Sequence, residues 1–251
     1  MINKQSVTKV LALLTGMVLL SRCSGAESAG PTAEQINLAQ FLNARVIITQ
    51  KEGQLQMADH ALDSGNSILI TVAAAKVSDA GKLNPLPNSG LIAANDRHPQ
   101  VKLNYADGDG GPQVCRISAT TATNTIPVPE MRYRQMQAFF ISANGPTPIS
   151  VTLHYADGSS QTRSTLVPDF FFLPKPADKG WFVLVDDFGK VDKQGKMTEH
   201  DHHYIHGFDL DPDPGKVLQK VELTKENSRS VLNLFALTGT PTSGLTGTDQ
   251  K

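Results

Sequence analysis

The chain has 251 residues, with 23 Lys+Arg against 24 Asp+Glu and 39% hydrophobic side chains, enough apolar material for one substantial core or two small ones. A formal net charge of -1, with no local basic patch, leaves nothing to neutralise phosphates and excludes nucleic acid as a partner class. With 20 Gly, 15 Pro and 2 Cys, the chain is neither a low-complexity polymer nor a disulfide scaffold.

Lys4 and Lys9 precede an apolar run over residues 10–20, and small residues follow from Ser21 to Ala26. That order is the three-part layout of a secretory signal, and the run is too short to cross a hydrocarbon core of about 30 Å as a helix. Ser24-Gly25-Ala26 offers small residues at the positions a signal peptidase reads, so cleavage is expected after Ala26. The mature protein is then expected to be secreted or periplasmic, with no transmembrane segment. Leu20-Ser21-Arg22-Cys23 also resembles a lipobox, which would put a lipid anchor on Cys23, but Arg22 stands where a small residue is normal. Removing residues 1–26 leaves 20 Lys+Arg against 24 Asp+Glu, a formal charge of -4. It also leaves Cys115 as the one cysteine, so no internal disulfide is expected. Cys115 alternates with Val114 and reads as a buried structural thiol.

Residues 27–35 read as a linker, although Pro31-Thr32-Ala33-Glu34-Gln35 carries the signature of a short helix start, with Thr32 as cap. From 36 to 238 short apolar segments are broken by Gly, Pro, Asn and Asp, the punctuation of strands and turns. Nine segments are expected as strands: 45–49, 67–73, 101–105, 137–141, 150–155, 181–185, 204–210, 217–223 and 230–237. That count suits an all-β sandwich occupying residues 36–238 as one domain. Leu103-Asn104-Tyr105-Ala106-Asp107-Gly108 is echoed by Leu153-His154-Tyr155-Ala156-Asp157-Gly158, and each Asp-Gly after an alternating segment signals a hairpin. Residues 239–251, rich in Gly, Thr and Ser, are expected as a flexible tail.

A longer series of motifs runs through the middle and end of the chain. Ile126-Pro127-Val128-Pro129, residues 136–143 with Asn144-Gly145, the 151–158 segment, and Val167-Pro168-Asp169-Phe170 come in order. Tyr204-Ile205-His206-Gly207-Phe208, residues 216–223 and residues 231–238 close the series, and Ala61-Leu62-Asp63-Ser64-Gly65 faintly opens it. In this layout the chain resembles a group of secreted bacterial and fungal β-sandwich modules of the galactose-binding-like, jelly-roll type. Ser64 stands where the group has Gly, and Phe170 where it has Trp. The resemblance implies a jelly-roll fold and a carbohydrate-facing role, a matter of fold more than of activity.

The densest chemistry is Glu199-His200-Asp201-His202-His203-Tyr204-Ile205-His206, with four of the chain's seven histidines. As a regular strand it would put His200, His202, Tyr204 and His206 on one face and Asp201, His203 and Ile205 on the other. Imidazoles spaced by two can converge on a transition metal such as zinc, so His200, His202 and His206 are the expected metal ligands, with Asp209, His154 and Asp169 as further contributors. Without a metal the same face would hydrogen-bond sugar hydroxyls. A polar loop running into a strand is the plain structural account of the same segment.

Other residues yield weaker expectations. Asp209-Leu210-Asp211-Pro212-Asp213-Pro214-Gly215 is not an EF-hand, because Pro214 takes the place of the turn glycine and Lys220 that of the bidentate Glu. Asp107-Gly108-Asp109-Gly110-Gly111 offers hard oxygens to a structural calcium, or simply turns the chain. Sugar rings stack on aromatic faces, which nominates Trp181 and Tyr204, although Trp181 leads an apolar strand and reads first as core or core edge. Phe170-Phe171-Phe172 after Asp169 offers an exposed lip, although alternation alone turns at least one of three consecutive Phe outwards. Asp186-Asp187 point to opposite faces of a regular strand and cannot flank one glycosidic bond. No nucleophile elbow, P-loop, dinucleotide fingerprint, H-E-x-x-H or C-x-x-C is present.

The resulting expectation is a non-catalytic carbohydrate-binding sandwich with ligand residues His200, His202, Tyr204, His206, Trp181 and Asp169. Its alternative is a polysaccharide- or glycoside-active enzyme using the histidine strand, with or without a metal. A structural envelope protein anchored through Cys23 is the third class.

Overall fold

The computed structural model describes residues 33–78, 80–175 and 178–242. The expected signal (1–26), Cys23, linker residues 27–32 and tail residues 243–251 lie outside the described residues. The first half carries short elements: β1 (Glu34–Gln35), β2 (Ile47–Lys51), β3 (Gln54–Gln56), β4 (Leu69–Ile70), helix α1 (Val72–Ser78), β5 (Leu91–Ile92), β6 (Val101–Lys102) and β7 (Cys115–Ile117). The second half carries long ones: β8 (Ala122–Met131), β9 (Tyr133–Ala143), β10 (Thr147–Tyr155), β11 (Ser160–Val167), β12 (Trp181–Val191), β13 (Met197–Asp209), β14 (Leu218–Lys225) and β15 (Val231–Pro241). Among the described residues no helix is long and apolar enough to cross a membrane.

The long strands form an all-β sandwich. One sheet runs β11-β10-β14-β8; the other runs β15-β9-β13-β12, with β1 and β7 both pairing the outer edge of β15. On β10, Ile149, Val151, Leu153 and Tyr155 are buried while the residues between them are partly exposed, so alternation alone selects the inner face. These side chains meet Met136, Ala138, Phe140, Trp181, Phe208, Leu234 and Leu237 of the second sheet in one core. The gap left among them is an apolar cavity of about 10 Å³, lined by Ile126, Phe140, Val151 and Leu223 with others, and it offers no polar partner to a ligand.

The second sheet is covered on its other face as well. Phe139, Ile141, Phe182, Leu184, Phe188, Ile205 and Phe235 pack against Val46, Ile47, Leu69, Val101, Leu103, Tyr105 and Val114 from the first half of the chain. That double burial explains why β9 and β15 are apolar almost without interruption rather than alternating. A third, smaller cluster joins α1 to β2 and Val191.

Several local expectations change. Residues 67–73 were expected as one strand, but the chain leaves β4 at Ile70 and turns into α1, where the Ala74 N–H bonds Thr71 Oγ1 and the run Ala73 to Ala75 suits a helix. The helix start expected near Thr32 is not continued, because Glu34 and Gln35 pair as a strand with Gly239 and Thr238. β15 therefore extends past the expected end of the domain at 238, and Gly239 and Thr240 are buried. Gly239 lies under the Tyr133 ring, where a Cβ would come within 2.4 Å of Cε1, so the close approach demands glycine. β8 and β11 are strands beyond the nine expected; both are sheet edges whose Thr, Ser and Pro content hides them. Asp157-Gly158 does close the β10–β11 hairpin, with Gly158 at φ 82°. Asp107-Gly108 makes a turn of the same kind but joins no paired strands; the Gly108 N–H bonds Gln50 instead.

Candidate functional site

The chemistry concentrates on the β12–β13 hairpin. Its open end is regular: Trp181, Phe182 and Val183 pair with Phe208, Gly207 and His206. Gly207 lets the Phe182 ring lie on the backbone, since a Cβ there would meet that ring at 2.3 Å. Towards the turn the register breaks. Phe188 pairs with His203 and Lys190 with Glu199, so Gly189 alone faces His200, Asp201 and His202. The excess residues are thrown outwards as a wide bulge, with His202 at φ 69° and Asp187 opposite at φ 56°. Asn84 fills the gap in the ladder: its N–H bonds the His200 carbonyl, its carbonyl accepts from Gly189 N–H, and its side-chain amide donates to the Asp187 carbonyl.

The bulge corrects the expected alternation. His200 and His202 are exposed and flank Asp201, whose carboxylate pairs with both imidazoles; the contact to His200 Nδ1 is 2.5 Å. His206 is fully buried, and its Nε2 is 2.9 Å from the Phe172 carbonyl. His200, His202 and His206 are therefore not one ligand set. Among the described residues the His/Asp/Glu atoms that do converge, within 4.8 Å of one another, belong to Asp187, Asp201 and His202. Asp187, set aside in the sequence as half of a carboxylate pair on opposite strand faces, becomes part of the group because the bulge turns it towards β13.

Behind the bulge lies a second cluster. His203 is fully buried, stacked against Phe170 and Phe188, with Nδ1 2.9 Å from the Phe188 carbonyl and Nε2 3.0 Å from Glu199. Burial pushes its imidazolium below the ordinary histidine range, helped by Lys190 and opposed by the Phe188 carbonyl and Glu199. Lys190 reaches the other side of Glu199 at 3.0 Å and sits 4.6 Å from the centre of the Phe171 ring. The expected Phe lip is present here: Phe170 is core, whereas Phe171, Phe172 and Leu173 are exposed by 42%, 66% and 58%. The loop bearing them is fastened to the free edge of β13, with Tyr204 N–H bonded to the Phe170 carbonyl.

The remaining expected ligand residues serve the fold. Asp169 is buried and accepts from the Gly145 and Phe171 N–H groups, at 2.6 and 3.1 Å, so it pins the lip to the β9–β10 turn rather than facing a ligand. Trp181 lies in the intersheet core, stacked on Phe208 at 4.5 Å, with its indole N–H on Thr165 Oγ1. Tyr204 is half-buried beside His206, on the face expected for both. His154 pairs loosely with Glu222, and Asp209 with Arg97. Asp107 Oδ1 accepts from Gln50 N–H and the Thr71 hydroxyl, and Asp109 Oδ1 accepts from Gly111 N–H, so these oxygens hold the loop. Cys115 is buried, and burial raises its thiol to about 11, which makes it unreactive.

No family model and no curated protein matches this chain. Among solved structures it is similar to one described as an exo-beta-agarase, at 10% identity and a TM-score of 0.27. The match covers 55% of this chain and 22% of that one, so the chain spans under a quarter of the agarase's length. A likeness of that size does not bear on what this protein does.

The sequence does not bring Glu199, Lys190 and His203 together, because nothing in spacing announces that they meet. Gly189 within an apolar strand was the one available sign of a bulge.

Proposed function

We propose that this protein is an exported, non-catalytic carbohydrate-binding sandwich of the galactose-binding-like kind, and that its contact surface is the lip formed by Phe171, Phe172 and Leu173. One observation carries the reading: two aromatic side chains stand in solvent on a loop anchored by Asp169 and by β13. Exposed aromatic edges on a fixed scaffold suit the apolar faces of sugar rings, and Glu199 beside them supplies an acceptor for hydroxyls. The ordered motifs from Ile126 to Thr238 support the same class. The enzyme alternative rested on three histidines acting together, and the burial of His206 separates them.

Affinity electrophoresis of the mature protein through gels containing plant and bacterial polysaccharides tests this. Retardation by at least one polysaccharide is expected, with Phe172→Ala weakening it about tenfold while the fold is kept. Equal mobility in every gel would remove the proposal.

A further inference from the structure

We infer that the β12–β13 bulge is a divalent transition-metal site, with Asp187, Asp201 and His202 as ligands and His200 orienting Asp201. This site is separate from the aromatic lip and does not depend on sugar binding.

The donor set comes first. Two carboxylates and an imidazole from two facing strands lie within 4.8 Å of one another, and a second imidazole holds the other oxygen of Asp201 at 2.5 Å. Mixed oxygen and nitrogen donors suit zinc or manganese, whereas calcium takes oxygen alone. Three protein ligands on an exposed bulge leave coordination positions open to solvent.

Charge is the second, independent observation. Several carboxylates near this sheet have full cations: Glu199 has Lys190, Asp209 has Arg97 and Asp211 has Arg163. Among the described residues no Lys or Arg comes within 4.0 Å of Asp187 or Asp201; Asp201 is faced by the His200 and His202 imidazoles, and Asp187 by the His202 backbone N–H. Two carboxylates this close repel one another, and a divalent ion relieves the repulsion.

Rigidity is the third. Asn84, from outside the hairpin, ties the backbone of His200 to that of Asp187, and His202 N–H bonds Asp187 Oδ1 at 3.1 Å. The donors are therefore held in place by a layer that does not ligate, as metal sites require of their surroundings.

Isothermal titration of the tag-free mature protein with zinc chloride tests the inference. One ion per chain is expected to bind, with a rise in melting temperature. Asp187→Asn, chosen because Asn tolerates positive φ, and His202→Ala should each weaken binding by about 10-fold to 100-fold. His154→Ala, on the other sheet, should leave it unchanged. Absence of saturable one-to-one binding, or full binding by the Asp187→Asn/His202→Ala double variant, would overturn the site. Should either variant unfold, the imidazole nitrogen resonances of the unmodified protein decide: zinc must shift those of His202, and shifts confined to other histidines refute the assignment.

Discussion

Asp169, Trp181 and His206 share a property that makes them attractive in a sequence and unavailable in the fold: each has a polar atom whose demand the interior must meet. Asp169 meets it with two backbone N–H groups, Trp181 with Thr165, and His206 with the Phe172 carbonyl. The His206 bond leaves Nδ1 without a partner, and burial lowers its ionisation from 6.5 to about 4. The unfolded chain takes up this proton near pH 6.5, whereas the folded protein resists it until about pH 4. Stability from this residue is thus complete above pH 6.5 and falls as the pH drops towards 4, by on the order of 3 kcal/mol. His203, shifted the same way, adds to the trend. Urea denaturation at a series of pH values should show a shallower decline between 6.5 and 4 in His206→Leu; an unchanged slope would mean that His206 titrates normally.

At the scale of elements, edges and interruptions determine what each strand presents. The β12–β13 hairpin is regular where β13 pairs with β9 and bulged beyond the end of that pairing at His206, so the histidine-rich segment is released from the ladder at the place where its side chains become exposed. The far end of β14 shows the reverse, a strand terminus closed by a buried cation. Lys225 is fully buried, and its ammonium donates to the Ala119 and Ser228 carbonyls at 2.6 and 2.7 Å, joining the strand to the loops on either side. Lys225→Met keeps the length but strands both acceptors, and a loss of about 3 kcal/mol is expected in the same denaturation assay. A change below about 0.5 kcal/mol would show that water replaces the ammonium at no cost.

At the scale of the whole molecule the central sheet is sandwiched twice. Its second face depends on segments before residue 118, short strands that have little pairing of their own and whose contribution is cover. A chain beginning at residue 118 would uncover Phe139, Ile141, Phe182, Phe188, Ile205 and Phe235. At about 1.5–3 kcal/mol for each large side chain, the loss is comparable to the entire stability of a domain. Such a truncation is expected to be insoluble, or to bind the dye ANS without a cooperative melt; a sharp melt would show that the sandwich stands alone.

The sequence by itself determined the all-β class, most of the long strands and the Asp157-Gly158 hairpin, because alternation and turn chemistry are local and act within a few residues. It also marked the histidine segment as its densest chemistry and offered the Phe run as an exposed lip. Which of those residues meet was decided only in three dimensions. A bulge of extra residues opposite Gly189 reverses side-chain direction with only that glycine to mark it in the sequence, and a sheet covered on both faces erases the alternation that would have shown its sides. His206 and Trp181 went inside, and Asp187 joined His202, because strand register is a property of paired strands rather than of either strand alone.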